Sequence, residues 1–185
     1  MNKSQSRPPA RMSETTLAEA ALSYLSRYAS SSGNLRQVLR RKIMRSARHY
    51  GDDPAPLLDV AETILARHTA NGAIDDTVYA ETQARKLRRR GGSARAIGQR
   101  LSAKGVPGEI VAETALSLNE PGEDRMAALV FARRRRLGPF RVGPRADHRQ
   151  RDLAAMGRAG FDYAVATTII DAPDTDDLDE LIREG

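Results

Sequence analysis

A chain of 185 residues with a net charge of +6 has room for one or two ordinary domains, or for several small units that share a core. It has no cysteine, which excludes disulfides, thiol catalysis and cysteine-ligated metal and accords with a reducing compartment. No stretch approaches the roughly 18 unbroken apolar residues that span a bilayer, and MNKSQSRPPARMSE lacks the apolar segment of a secretory signal, so a cytoplasmic protein with a loose arm over residues 1–13 is expected.

The first helix is expected from Glu14 to Tyr28, where Leu17, Ala20, Ala21, Tyr24, Leu25 and Tyr28 form one apolar stripe. SSSGN at 30–34 breaks it and supplies caps for a second helix. That helix sets Leu35, Val38 and Leu39 beside Arg36, Arg40, Arg41 and Lys42. RHYGDDPAP reads as a loop whose Pro54 and Pro56 favour the start of a third helix, with Leu57, Leu58, Ala61, Ile64 and Leu65 facing inward. These make a first unit over 14–70.

A second unit, 71–119, opens at NGAIDD, where Gly72 ends one helix and Asp75 or Asp76 caps the next. Its first helix runs from Thr77 to about Arg89 and ends in Lys86, Arg88, Arg89 and Arg90. GGS at 91–93 supplies a stop and a cap, Ile97 and Leu101 lie on the buried side of the next helix, and Lys104–Pro107 turns a tight corner. The third unit, 120–171, begins after NEPGED with Met126, Ala127, Leu129, Val130 and Phe131 on a helix running into Arg133–Arg136. A Gly- and Pro-rich loop follows, then a helix with Leu153 and Met156, a corner at Gly160-Phe161, and a last helix. From Asp171 the chain holds seven acids and one base; against the whole-chain +6, this leaves the preceding 170 residues at +12. The acidic tail, 172–185, is expected to compete for whatever polyanion the basic body meets.

The same words return along the chain. VAETIL at 60–65, VAETAL at 111–116 and VATTII at 165–170 stand 51 and 54 residues apart, while the corner pair Gly105 and Gly160 stands 55 apart. With few aromatic and β-branched residues and abundant Ala, Leu, Arg and Glu, the reading is an all-α chain of three tandem three-helix repeats forming an elongated array.

The basic clusters Lys86, Arg88, Arg89, Arg90 and Arg133, Arg134, Arg135, Arg136 both close the first helix of a unit. One lysine there would serve the helix dipole. Four consecutive arginines exceed that need, so a shared binding edge for a polyanion is expected. Asp75-Asp76 and Asp52-Asp53 are adjacent pairs whose side chains diverge, which favours capping over paired acid–base work. His49, His68 and His148 have no helical spacing to one another, so no metal site is expected, and Gly91, Gly92 and Gly98 match no phosphate-cradling pattern. No catalytic residue, cofactor or small-molecule substrate is expected. Tyr24, Tyr79 and Phe131, one on each first helix, read as core in preference to a stacking platform.

ALSYLSR (21–27), GAIDDTVYAETQAR (72–85), GGSARAIGQRLSAKGV (91–106) and GRAGFDYAV (157–165) resemble, in order and spacing, the RecX family of bacterial recombination regulators. The resemblance implies a curved all-α molecule that binds the RecA–DNA filament and restrains its ATPase and strand exchange in DNA repair and the SOS response, without membrane contact. The alternative is a direct DNA-binding protein or repressor using one unit as a helix-turn-helix. Against it, GEIVAETALSL is acidic and apolar and would be repelled by phosphates in a major groove.

Overall fold

The computed structural model describes residues 8–118, 122–175 and 178. Every regular element among them is helical: α1 (Glu14–Leu25), α2 (Ser32–Tyr50), α3 (Ala55–Ala70), α4 (Asp76–Arg88), α5 (Ala94–Ala103), α6 (Gly108–Ser117), α7 (Glu123–Arg135), α8 (Arg149–Arg158) and α9 (Tyr163–Ile170), with two short 3-10 turns in the segment joining α7 to α8. They fall three by three, as α1–α3, α4–α6 and α7–α9. By contacts the chain divides into two compact units, one reaching to Tyr79 and including Lys104–Val106, the other comprising Ala80–Ala103 and everything from Pro107 onward.

In the first unit, α1, α2 and α3 pack on one another around Leu17, Ala21, Leu35, Leu39, Ile43, Ala61, Ile64 and Leu65, with Ile74 added from the start of the next repeat. Ser13 opens α1 with a reciprocal cap, its Oγ accepting from Thr16 N–H while Thr16 Oγ1 accepts from Ser13 N–H. α2 does not stop where the loop RHYGDDPAP was expected to begin. It runs on through Arg48, His49 and Tyr50 to Gly51, whose φ of 75° ends it in the left-handed conformation glycine tolerates. The extra turn receives the N-terminal arm, so from Pro9 onward that arm is not loose. Arg11 makes two bonds to Asp52 at 2.6 and 3.0 Å, Met12 N–H donates to Ser46 Oγ at 2.9 Å, and Tyr50 Oη donates to the Pro9 carbonyl. Residues 1–7 lie outside the described set.

In the second unit, α7, α8 and α9 enclose Ala127, Ala128, Leu129, Ala132, Leu137, Leu153, Met156, Phe161, Ala166, Ile169 and Ile170. α5 packs on α6, burying Ala94, Ile97 and Leu101. Asp152 is buried in this unit and is matched on both oxygens: Arg141 binds Oδ1 at 2.5 Å and Oδ2 at 3.2 Å, and Gly138 N–H donates to Oδ2 at 2.9 Å. Past α9, Arg145 donates to the carbonyls of Ile170, Ala172 and Pro173, and Leu178 is buried in the same core. Of NEPGED, residues 119–121 lie outside the described set, as do 176, 177 and 179–185 of the acidic tail.

The repeat is clearest at its junctions. Ser31 caps α2 by accepting from Asn34 N–H at 3.1 Å, and its hydroxyl donates to the Lys104 carbonyl at the α5–α6 corner. Ser93 caps α5 by accepting from Ala96 N–H at 3.1 Å and donates to the Ala159 carbonyl at the α8–α9 corner at 2.7 Å. Asp76 accepts from Ser32 N–H, and Asp124 from Ala94 N–H, at 2.8 and 3.1 Å. The middle helix of one repeat is thus capped by its own serine and by the aspartate that opens the next. Asp75 caps α4 itself through Val78 N–H, so the two neighbouring carboxylates serve different helices.

The corner glycines complete the match: a side chain on Gly105 (φ 71°) would meet Gly33, and one on Gly160 (φ 91°) would meet Ser93. Corner spacing is therefore 55 in structure as in sequence. The VAET words are not in step with it. In α3 and α9 the second residue, Ala61 or Ala166, is buried, whereas in α6 Ala112 is exposed, Thr114 is buried and Leu116 is 73% exposed. The burial pattern of α6 aligns with α9 at 55 residues, not 54.

Candidate binding site

The two basic clusters meet inside the second unit. Gly91, at φ 79°, lets the segment after α4 press on the backbone of α7; a Cβ there would lie 2.6 Å from Phe131 N and 2.9 Å from the Ala127 carbonyl oxygen. That approach carries Arg134 to Arg90, whose carbonyl accepts from Arg134 Nη1 at 2.7 Å. Arg90, Arg134 and Arg135 line an open cleft of about 590 Å³ together with Arg100 and Arg158, over a floor of Leu87, Gly91, Gly92, Ile97, Phe131 and Ala159. An adjoining cleft of about 580 Å³ shares Phe131, Arg135, Arg158 and Ala159 and adds Arg141 and Arg151. The one carboxylate lining either cleft among the described residues is Asp152, already held by Arg141. Arginines facing one space with so little countercharge raise the local potential for an anion.

The remaining cluster residues take other positions. Lys86, Arg89, Arg133 and Arg136 are exposed but do not line the cleft. Arg136 ends α7 with φ 55° and ψ 52°, a left-handed conformation rare for a residue with a side chain. Arg88 is turned inward, its side chain 10% exposed; it pairs with Asp124, donates to the carbonyls of Gly92 and Leu118, and has Glu123 at 3.5 Å. It braces the junction that Asp124 caps. Nothing in the sequence separates Arg88 from its neighbours except its phase on α4.

Arg100, Arg141, Arg151 and Arg158 are the cleft residues that sequence reasoning missed. None of them belongs to a run of consecutive basic residues: Arg100 lies on α5, Arg141 between α7 and α8, and Arg151 and Arg158 on α8, and only tertiary packing gathers them. Phe131, expected in the core, is half-buried: its ring lies 5.6 Å from Phe161, and the Arg135 guanidinium sits 5.9 Å above it. Tyr24 and Tyr79 are also half-buried, in the first unit, and Tyr24 Oη accepts from Asn34. Burial raises the Tyr79 hydroxyl above its usual value, with Tyr24 and Asp76 adding to the effect. No group of three or more histidines and carboxylates stands together as a metal site among the described residues.

A family model described as RecX, second three-helix domain, matches residues 75–114, which hold α4, α5, the corner and most of α6. The chain is 41% identical to the regulatory protein RecX of Myxococcus xanthus (strain DK1622) over 166 residues, 89% of each chain. The chain belongs to the RecX family. A second RecX, from Agrobacterium fabrum (strain C58), is 33% identical over 150 residues, covering 80% of this chain and 79% of that one. A crystal structure of regulatory protein RecX superposes with a TM-score of 0.64 over 85% of this chain and 71% of the other, at 22% identity, and so shares the fold. RecX relatives are named as regulatory proteins, and no helix among the described residues is long and apolar enough to cross a membrane.

Proposed function

We propose that this RecX-family chain binds the RecA–DNA filament and lowers its ATP turnover and strand exchange by occupying it, with no chemistry of its own. The observation that carries the reading is the cleft of the second unit. Packing of Gly91 on α7 joins two arginine clusters with Arg100 and Arg158 around a space that has no free carboxylate. An anionic surface of the filament, protein or phosphate, complements it. To inhibit, the chain must prefer one filament state, since equal affinity for all states would shift nothing.

The test is RecA ATP hydrolysis on single-stranded DNA, titrated with the chain in the cytoplasmic range of salt. Inhibition at far fewer than one chain per RecA protomer supports filament regulation. Inhibition only once bare DNA is coated would favour the rival reading, a direct DNA-binding protein. Arg134→Glu with Arg135→Glu should raise the concentration for half-inhibition at least about tenfold, on the order of 1.4 kcal/mol of binding; unchanged inhibition would remove the cleft from the reading. Lys86, Arg89, Arg133 and Arg136 form the exposed margin of the proposed surface, and Arg88 serves it from beneath by holding Asp124.

A further inference from the structure

We propose that the outward face of α2, in the first unit, is a separate binding surface for the phosphate backbone of double-stranded DNA. α2 is 19 residues long and contains no Asp or Glu. Leu35, Val38, Leu39, Ile43, Ser46 and Ala47 are its buried side. Arg36, Arg40, Arg41, Lys42, Arg45 and Arg48 are all exposed. At 3.6 residues per turn the five arginines fall within one half of the helix circumference and rise about 18 Å from first to last. Arg36 is paired, with Glu62 at 2.7 Å; the other cations of this face have no ion pair among the described residues.

The fold does not call for this row. Arg36 and Arg40, like Arg41 and Arg45, are like charges one turn apart, an arrangement that weakens a helix. Complementing the helix dipole accounts for Arg48 and His49 in the last turn and for nothing before them. Such a row suits a partner that is itself a line of charge. About 18 Å of duplex carries on the order of ten phosphates. A protein partner would need apolar anchors at the centre of the contact, and the face offers Met44 alone. A single strand would be held by stacking on aromatic rings, and the one tyrosine of α2, Tyr50, is occupied by Arg11 and the Pro9 carbonyl. Without base-reading groups in a fixed constellation, the contact is to backbone and independent of sequence.

The inference stands apart from the filament reading, and its test uses the full chain without RecA. Fluorescence anisotropy would follow binding to a labelled duplex and to a single strand of equal length, across a salt series. The comparison is between the native chain and an Arg40→Gln, Arg41→Gln, Arg45→Gln variant, glutamine keeping the helix. The variant should melt with the native chain yet bind every duplex at least about tenfold more weakly, and its slope of log affinity against log salt should be shallower by about 2 to 3. An Arg134→Gln, Arg135→Gln chain should keep that α2-dependent step. Duplex affinity unchanged by the α2 substitutions would overturn the inference. So would a loss confined to the single strand, or a loss confined to polyglutamate, which would assign the face to an acidic protein.

Discussion

Asp152 and His68 are both buried in the chain, and they sit at opposite ends of the range of polar satisfaction. Burial pushes the Asp152 carboxyl up, but the bonds from Arg141 and Gly138 outweigh it and hold the group below the usual carboxylate range. The unfolded chain therefore takes up this proton first, so the stability it contributes is complete above about pH 4 and is lost as pH falls through the lower, folded value. Asp152→Asn should destabilise the protein by on the order of 2 kcal/mol at pH 7 in urea titration, with the gap to the native chain closing below about pH 4. A gap independent of pH would mean that the charge is not what matters. His68 is 4% exposed, and neither ring nitrogen has a hydrogen-bond partner among the described residues. His68→Leu should stabilise by about 1 kcal/mol, read as a higher Tm; a fall would show that the imidazole is satisfied in solution. Arg136 holds a left-handed backbone, so Arg136→Gly should leave stability unchanged or raise it by up to about 1 kcal/mol.

At the scale of the element, much was legible and the errors have physical causes. Apolar stripes and glycine or proline punctuation placed the helices α1 to α9 seen among the described residues, because burial of one face sets the 3.6 period. The end of α2 was missed because Arg48-His49-Tyr50 looks polar in isolation. The arm that docks there, through Arg11 and Pro9, supplies contacts from 41 residues away. Asp76 was readable as a cap, but its recipient, Ser32, is 44 residues distant and leaves no local mark. The VAET words misled by one residue because four letters carry too little pattern to fix a phase. In the candidate cleft, the two arginine runs were visible, while Arg100, Arg141, Arg151 and Arg158 are gathered only by folding. The junction makes a sharp prediction. Alanine for glycine within a helix ordinarily stabilises by about 1 kcal/mol. Gly33→Ala should destabilise instead, because its Cβ would stand 2.8 Å from the Gly105 Cα and closer still to that carbonyl oxygen. An increased Tm would show that the α5–α6 corner does not sit on α2.

For the molecule as a whole, charge decides how it behaves toward partners. On the proposed function, a body of +12 ahead of an acidic tail would bind a polyanion by releasing its counterions, so inhibition of RecA should weaken steeply with salt. Raising the salt from roughly 50 to 200 mM should increase the half-inhibitory concentration by at least about tenfold for the native chain and by much less for the Arg134→Glu, Arg135→Glu chain. Equal salt responses would place the governing contacts elsewhere. Were the cleft in one unit and the α2 row in the other both engaged, the second contact would form intramolecularly and modest contacts would sum to firm retention.

The last repeat differs from the first two at the N-terminus of its middle helix. α2 and α5 each carry their own serine cap and receive an aspartate from the repeat that follows, but α8 opens at His148 with no side-chain cap among the described residues, and the amide of its first residue, Arg149, donates to the Ala146 carbonyl. A fourth copy appended by gene duplication would find neither the hydroxyl nor the vacant amide that its predecessors met.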